Sequence, residues 1–217
     1  YLAGTFYSAE TLTWAGHTRL LGISGRLLSP HLFGREELVS FPVRFPDADL
    51  VALEGWVARV LDVAGHTHGF AHVEFVLTGD GPEVVEVNAR IAGALVGEAM
   101  CRTLGTNVYT AMVEMALGRA PTLLTALADP PRHTGANVMV LVYPDRAGTF
   151  TGMVGVDGLA HRPGTPQWYP TMAVSRRVDD IGDQRACTGL LLAAGDSTEV
   201  AIYNAVSAAS SIRSVMD

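Results

Sequence analysis

Residues 72–90 read HVEFVLTGDGPEVVEVNAR, two valine-rich runs joined by a Gly-Asp-Gly-Pro turn. Apolar and polar residues alternate along each run, the period of an extended strand with one face buried. Folded back about Asp80, the runs form a β-hairpin that sets Glu74 opposite Glu86 and His72 opposite Asn88. Alternation then gathers His72, Glu74, Glu86, Asn88 and Arg90 on one face, and Val73, Phe75, Leu77, Val85, Val87 and Ala89 on the other. Directly opposed side chains have Cβ atoms ~4.5–5.5 Å apart, where like charges repel. Two facing glutamates therefore need water or a cation between them. Two carboxylates and an amide oxygen form a hard-oxygen set of the kind that Mg²⁺ shares with phosphates. Arg90 adds a planar fork suited to a phosphate or a carboxylate. A solvated outer face accounts for the same pattern, because an antiparallel sheet with one wet side is common. A glycosidase-like acid/base pair is a third reading. Pattern alone leaves all three open.

The chain has 217 residues, 48% of them apolar, enough for one large domain or two small ones. Its net charge of −7 is spread along the sequence, and its fifteen basic residues are all arginine. A nucleic-acid footprint is not expected from such a distribution. Cys101 and Cys187 fit neither a disulfide nor a metal pattern, which points to a reducing compartment. No apolar run is long enough to span a bilayer. The expectation is a cytoplasmic protein with neither nucleic-acid nor membrane partners. The opening YLAGTFYSAETLTW reads as a strand already under way, so a longer polypeptide is expected.

Phe6–Trp14 and Thr18–Arg26 read as strands joined by a turn at Gly16. Pro42 and Pro46 place LVSFPVRFP at a sheet edge or in a loop. LVALEGWVARVLDVAG has apolar residues at helical spacing, with Asp47 or Asp49 as its cap and Gly65 as its end. VGEAMCRTLGTNVYTAMVEMALG reads as one helix broken near Gly105, or as two, with Met112 and Met115 in the core. The connector APTLLTALADPPRHTG marks a boundary. Beyond it ANVMVLVYP, TFTGMVGVDG, TMAVSRRV and TGLLLAAG read as extended runs. STEVAIYNAVSAASSIRSVM reads as a helix capped by Ser197, its apolar stripe starting at Val200. The expected fold class is α+β: an antiparallel sheet with packed helices over 1–120, then a small α+β lobe over 121–217.

Other chemistry-bearing residues have bland alternatives. His66 and His68 in GHTHGF are spaced for a metal pair, but a polar loop is the ordinary outcome. VDDIGDQR holds three acids without the spacing of a calcium loop. His31, Arg35 and Arg26 lie in or beside loops, where substrate contacts often sit.

HVEF followed by EVNAR and IAG resembles the metal-binding end of the ATP-grasp superfamily. The resemblance implies that Glu74, Glu86 and Asn88 bind Mg²⁺ (or Mn²⁺) bridging the phosphates of ATP. It also implies that Arg90 contacts the acyl-phosphate or terminal phosphate region. YLAGTFYSAETL resembles the family's hinge and following strand, which implies adenine contacts at Tyr1 and Leu2 and an amino-acid substrate near Glu10. His72, on the glutamate face, and His31 are further candidate substrate contacts. GLLLAAGDSTEVAIYNAVSAAS resembles the C-terminal lobe of the L-amino-acid ligase branch.

That branch implies ATP-dependent joining of a carboxylate to an amine through an acyl phosphate, releasing ADP and phosphate. The implied partners are a small-molecule carboxylate and amine, and a homodimer is compatible with the superfamily. The family's upstream lysines and glycine-rich phosphate loop do not occur in this sequence. The N-terminal and lid domains of the same enzyme are therefore expected as partners, and this portion is not expected to turn over alone. Two alternatives remain within reach of the resemblance. One is a bicarbonate-using carboxylase or carbamoyl-phosphate-type enzyme; the other is a non-catalytic scaffold that kept the fold.

Overall fold

The structure, a computed structural model, describes residues 2–32 and 34–217. In chain order its elements are β1 (Thr5–Trp14), β2 (His17–Leu28), β3 (Glu36–Phe41), α1 (Asp47–Val63), β4 (Gly69–Thr78) and β5 (Gly81–Asn88). There follow α2 (Val96–Leu104), α3 (Tyr109–Ala116), α4 (Leu123–Ala126), β6 (Ala136–Val142), β7 (Gly148–Val154) and β8 (Gln167–Pro170). The chain closes with β9 (Arg177–Val178), β10 (Gly189–Gly195), α5 (Thr198–Ala209) and β11 (Arg213–Met216). It divides into two units. One holds the residues up to Gly25 together with Phe41–Thr134, the other Arg26–Ser40 together with Gly135–Asp217.

In the first unit the strands lie in the order β5-β4-β1-β2, each antiparallel to its neighbour. The β1–β2 turn is two residues, Ala15 and Gly16, both at positive φ, the conformation whose twist matches the flanking strands. Helix α1 covers one face of this sheet. Its Leu53, Val57 and Leu61 recur every four residues and pack on Ala9, Ile23, Val73 and Phe75. Burying three such side chains contributes about 1.5–3 kcal/mol each. Pro46 occupies the N-cap of α1, and Asp47 and Asp49 sit in the first turn. The aspartates thus act through the helix dipole rather than as caps. The helix closes where Gly65 at φ +72 donates to the Asp62 carbonyl. Gly105, also left-handed, separates α2 from α3.

Three expectations for this unit are corrected. A bulge between Glu74 and Phe75 brings Val84, not Val85, opposite Phe75. Val84, Val85 and Val87 are also exposed, at 42, 51 and 36%, because α1 covers β4 and β1 but not the outermost strand. On α3 the buried residue is Ala111, whereas Met112 faces solvent.

The second unit carries strands in the order β3-β6-β10-β8 and a separate three-stranded sheet β11-β7-β9. β3 is a regular six-residue strand, with Pro42 just beyond its last residue, so no ladder donor is lost. The core joins Leu38, Val138, Leu191 and Ala193 to Ala201, Ala205 and Ala208 of α5. Ser197 caps α5, its Oγ accepting from the Val200 backbone at 3.3 Å. The buried stripe of this helix is alanine, not the valine run: Val200 is 46% exposed. The helix also stops at Ala209, and Arg213–Met216 form a strand. TMAVSRRV yields only the two-residue β9, and the neighbouring strand is β8, which the sequence pattern did not mark.

Candidate functional site

The face of the first sheet opposite α1 is polar, and strand register explains how it is assembled. Ser24 of β2 pairs with Ser8 of β1, Ser8 with Glu74 of β4, and Glu74 with Glu86 of β5. The next row runs Gly22, Glu10, His72, Asn88 across the same four strands. Alternation puts both rows on one side. The expected facing of Glu74 with Glu86, and of His72 with Asn88, is therefore the observed register.

The centre of this face is not a wet surface. Ser8 and Ser24 are fully buried, and Glu10 and His72 retain 2 and 1% exposure. Glu10 Oε1 accepts from Ser24 Oγ at 2.8 Å and from Ser8 Oγ at 3.3 Å. His72 Nδ1 lies 3.0 Å from both carboxylate oxygens of Glu10, and Nε2 lies 3.2 Å from Glu74 Oε1. The ring thus bridges the carboxylates of Glu10 and Glu74. Burying the Glu10 charge requires such a partner, because an uncompensated carboxylate inside a protein is costly. Ser8 and Ser24 escape a local reading of the sequence. Only the register of β1 with β2 and β4 shows that they end in the same cluster.

Toward the outer strand the environment opens. Glu86 is exposed and makes no hydrogen bond or ion pair among the described residues, and Glu74 keeps 19% side-chain exposure. Asn88 has a buried amide nitrogen without a partner among the described residues, and a half-turn of the amide exchanges it for the oxygen. Arg90 lies just past the strand, exposed, its guanidinium donating to the Ile91 carbonyl at 3.1 Å. No three His, Cys, Asp or Glu side chains among the described residues form a ready-made metal cluster. Two carboxylates and an amide nonetheless suit Mg²⁺, which takes few protein ligands and completes its shell with water and phosphate.

Comparison with known proteins bears on this arrangement. Residues 140–217 match the family model of the L-amino acid ligase C-terminal domain 2. Carnosine synthase 1 of Gallus gallus is 29% identical over 167 residues, covering 75% of this chain and 17% of that protein. The L-amino acid ligase of Bacillus licheniformis superposes with a TM-score of 0.86 at 20% identity, over all of this chain and 55% of the ligase. Residues 140–217 thus match an L-amino acid ligase domain, and the whole chain has the fold of such a ligase. The biotin carboxylase domain of the Hydrogenobacter thermophilus 2-oxoglutarate carboxylase, solved with MgADP and bicarbonate, shares the fold at a TM-score of 0.73 and 13% identity. That match covers all of this chain and 47% of the carboxylase chain. The chain thus spans about half the length of these solved relatives and less of the synthase.

The remaining candidates are dispersed. Tyr1 lies outside the described residues, and Leu2 is exposed ahead of β1. His31 is exposed in a loop of the second unit, its backbone N–H 3.5 Å from Ser29 Oγ. In the same unit Arg35 bonds Glu37 and the Ile181 carbonyl and stacks over Tyr143, and Arg26 pairs with Glu36. These arginines hold the loop. His66 closes its own turn on the Gly69 carbonyl, and His68 packs edge-on against Trp14. In VDDIGDQR the acids are taken by neighbours: Asp183 pairs with Arg185, which holds its carboxyl down at about 2, and Asp179 pairs with Arg177.

Proposed function

We propose that the protein carrying this chain is an ATP-dependent ligase that joins the carboxylate of an amino acid to an amine. In this reading a carboxylate oxygen attacks the γ-phosphorus of ATP and ADP departs. The amine nitrogen then attacks the acyl-phosphate carbonyl, the C–O bond to phosphate breaks, and the amine proton is lost. The observation that carries the reading is the in-register facing of Glu74 and Glu86 on a polar sheet face whose centre is buried. Glu74, Glu86 and Asn88 are the residues that would hold Mg²⁺, which when bound supplies positive charge to the transferring phosphoryl group. Arg90, free to swing from the Ile91 carbonyl, offers two parallel N–H donors to the acyl phosphate. The chain's contribution is positioning and electrostatics, as in phosphoryl transfer generally. The L-amino acid ligase match over 140–217 favours an amine acceptor over the bicarbonate of the carboxylase relatives.

The test is hydroxylamine trapping with the full-length protein, MgATP and each amino acid in turn. Amino-acid-dependent ADP release with formation of the hydroxamate is expected. ADP release that requires bicarbonate and yields no hydroxamate would overturn the reading, as would no release with any amino acid.

A further inference from the structure

Glu74 and Glu86 face one another but are held very differently. Glu86 has no protein partner among the described residues, whereas Glu74 is tied inward through His72 Nε2. His72 in turn is fixed through Nδ1 by Glu10, and Glu10 by hydroxyls from two strands, Ser8 and Ser24. The links through Ser8, Ser24, Glu10 and His72 are buried and the last, to Glu74, is partly so; the pairing of Glu10 with His72 across β1 and β4 fixes the series in the sheet.

We infer that Glu10 and His72 are positioning residues that act through Glu74: they hold its carboxylate in one rotamer, making Glu74 the fixed anchor of the cation site and Glu86 the arm that adapts. This inference rests on the ligase reading above. Glu10 is almost closed to solvent. Three donors already occupy its carboxylate, 2% exposed, and an incoming ammonium would have to displace the imidazole bonded to it. His72 likewise has both nitrogens engaged. A ring aimed by one carboxylate at another is how proteins commonly orient a ligand from behind, and losing such a partner typically weakens metal affinity about 10–100-fold.

The experiment uses the full-length protein and Mn²⁺ with ADP as the probe, followed by titration calorimetry and by the Mn²⁺ spin-resonance signal. Glu10→Gln keeps the shape of the side chain and an acceptor for the serines but replaces one of the two oxygens facing His72 Nδ1 with an amide. It should weaken Mn²⁺ binding about tenfold or more, while the KM for the amino acid stays near wild type. In a Glu74→Gln background the same change should add nothing, because its effect passes through Glu74. Ser24→Ala, a milder release of Glu10, should weaken Mn²⁺ in the same direction and guards against a Glu10 variant that fails to fold. Unchanged Mn²⁺ affinity in folded variants would overturn the inference. So would a raised amino-acid KM with intact Mn²⁺ binding, or additivity with Glu74→Gln. Failure of the wild-type protein to bind Mn²⁺-ADP would instead overturn the ligase reading on which it stands.

Discussion

Glu74 and Glu86 pair directly across the β4–β5 ladder, two carboxylates on one face of the outermost strand pair of the first unit. Without a cation their proximity costs about 0.2–1 kcal/mol. Glu86→Gln should therefore leave the metal-free full-length protein slightly more stable, by up to about 1 kcal/mol. It should also cut amino-acid-dependent ADP release by roughly 100-fold or more, the usual loss when a group facing developing charge is removed. Paired thermal unfolding and turnover assays check both signs. A variant of wild-type activity would show that Glu86 is an ordinary surface residue.

Among the described residues Arg90 bonds only a neighbouring carbonyl, and it is exposed. Its replacement should change stability by less than about 0.5 kcal/mol. Arg90→Lys keeps the charge but loses the two-pronged geometry, so turnover should fall about tenfold or more. Steady-state kinetics beside a denaturant titration separates the two effects.

His133 is predicted to make the fold acid-sensitive. Its ring packs edge-on against Phe41 and accepts or donates at Thr103 Oγ1. Burial pushes its pKa from 6.5 down to about 4, partly offset by the Leu21 backbone. Between those values the unfolded chain binds a proton that the folded chain refuses, so stability falls as pH drops through this window and levels off below it. The loss is at most about 3 kcal/mol. Urea titrations at pH 7 and pH 5 should show the decline, and His133→Gln should flatten it.

Gly22 stands beside Glu10 in the polar row, and its missing side chain is filled by others. A Cβ there would come within 2.6 Å of Phe41 and 3.1 Å of His133. Gly22→Ala should cost about 1–3 kcal/mol through overpacking. Denaturant midpoints measure it, and a neutral result would mean that Phe41 yields more readily than its full burial suggests.

How much of this was legible in the sequence depends on range. The β4–β5 register follows from a short turn and strict alternation, both local, and Glu74 and Glu86 emerge facing one another. The bulge after Glu74 is invisible, because no glycine marks it and Val84 and Val85 are interchangeable in pattern. The Glu10–His72 contact joins residues 62 apart, and only the placement of β1 between β2 and β4 brings Ser24 to the same carboxylate. Nothing in a linear reading orders those strands. In the second unit, alternation failed where strands are short: β8 and β9 span four and two residues, too few to show a period. Helix α5 misled for a different reason. Its inward side is alanine packed closely against β-strands, so its larger aliphatic residues mark the outside.

The chain visits its second unit twice: residues 26–40 enter it, the path returns to the first, and only after Thr134 does it come back for good. Leu38 of that early visit is part of the core around α5, and Tyr143 donates to the Glu36 carbonyl. The matched stretch 140–217 is therefore a contiguous piece of gene but not a self-sufficient piece of protein. Cut out alone it would leave a strand behind, so moving this lobe into another protein requires grafting two separate segments together.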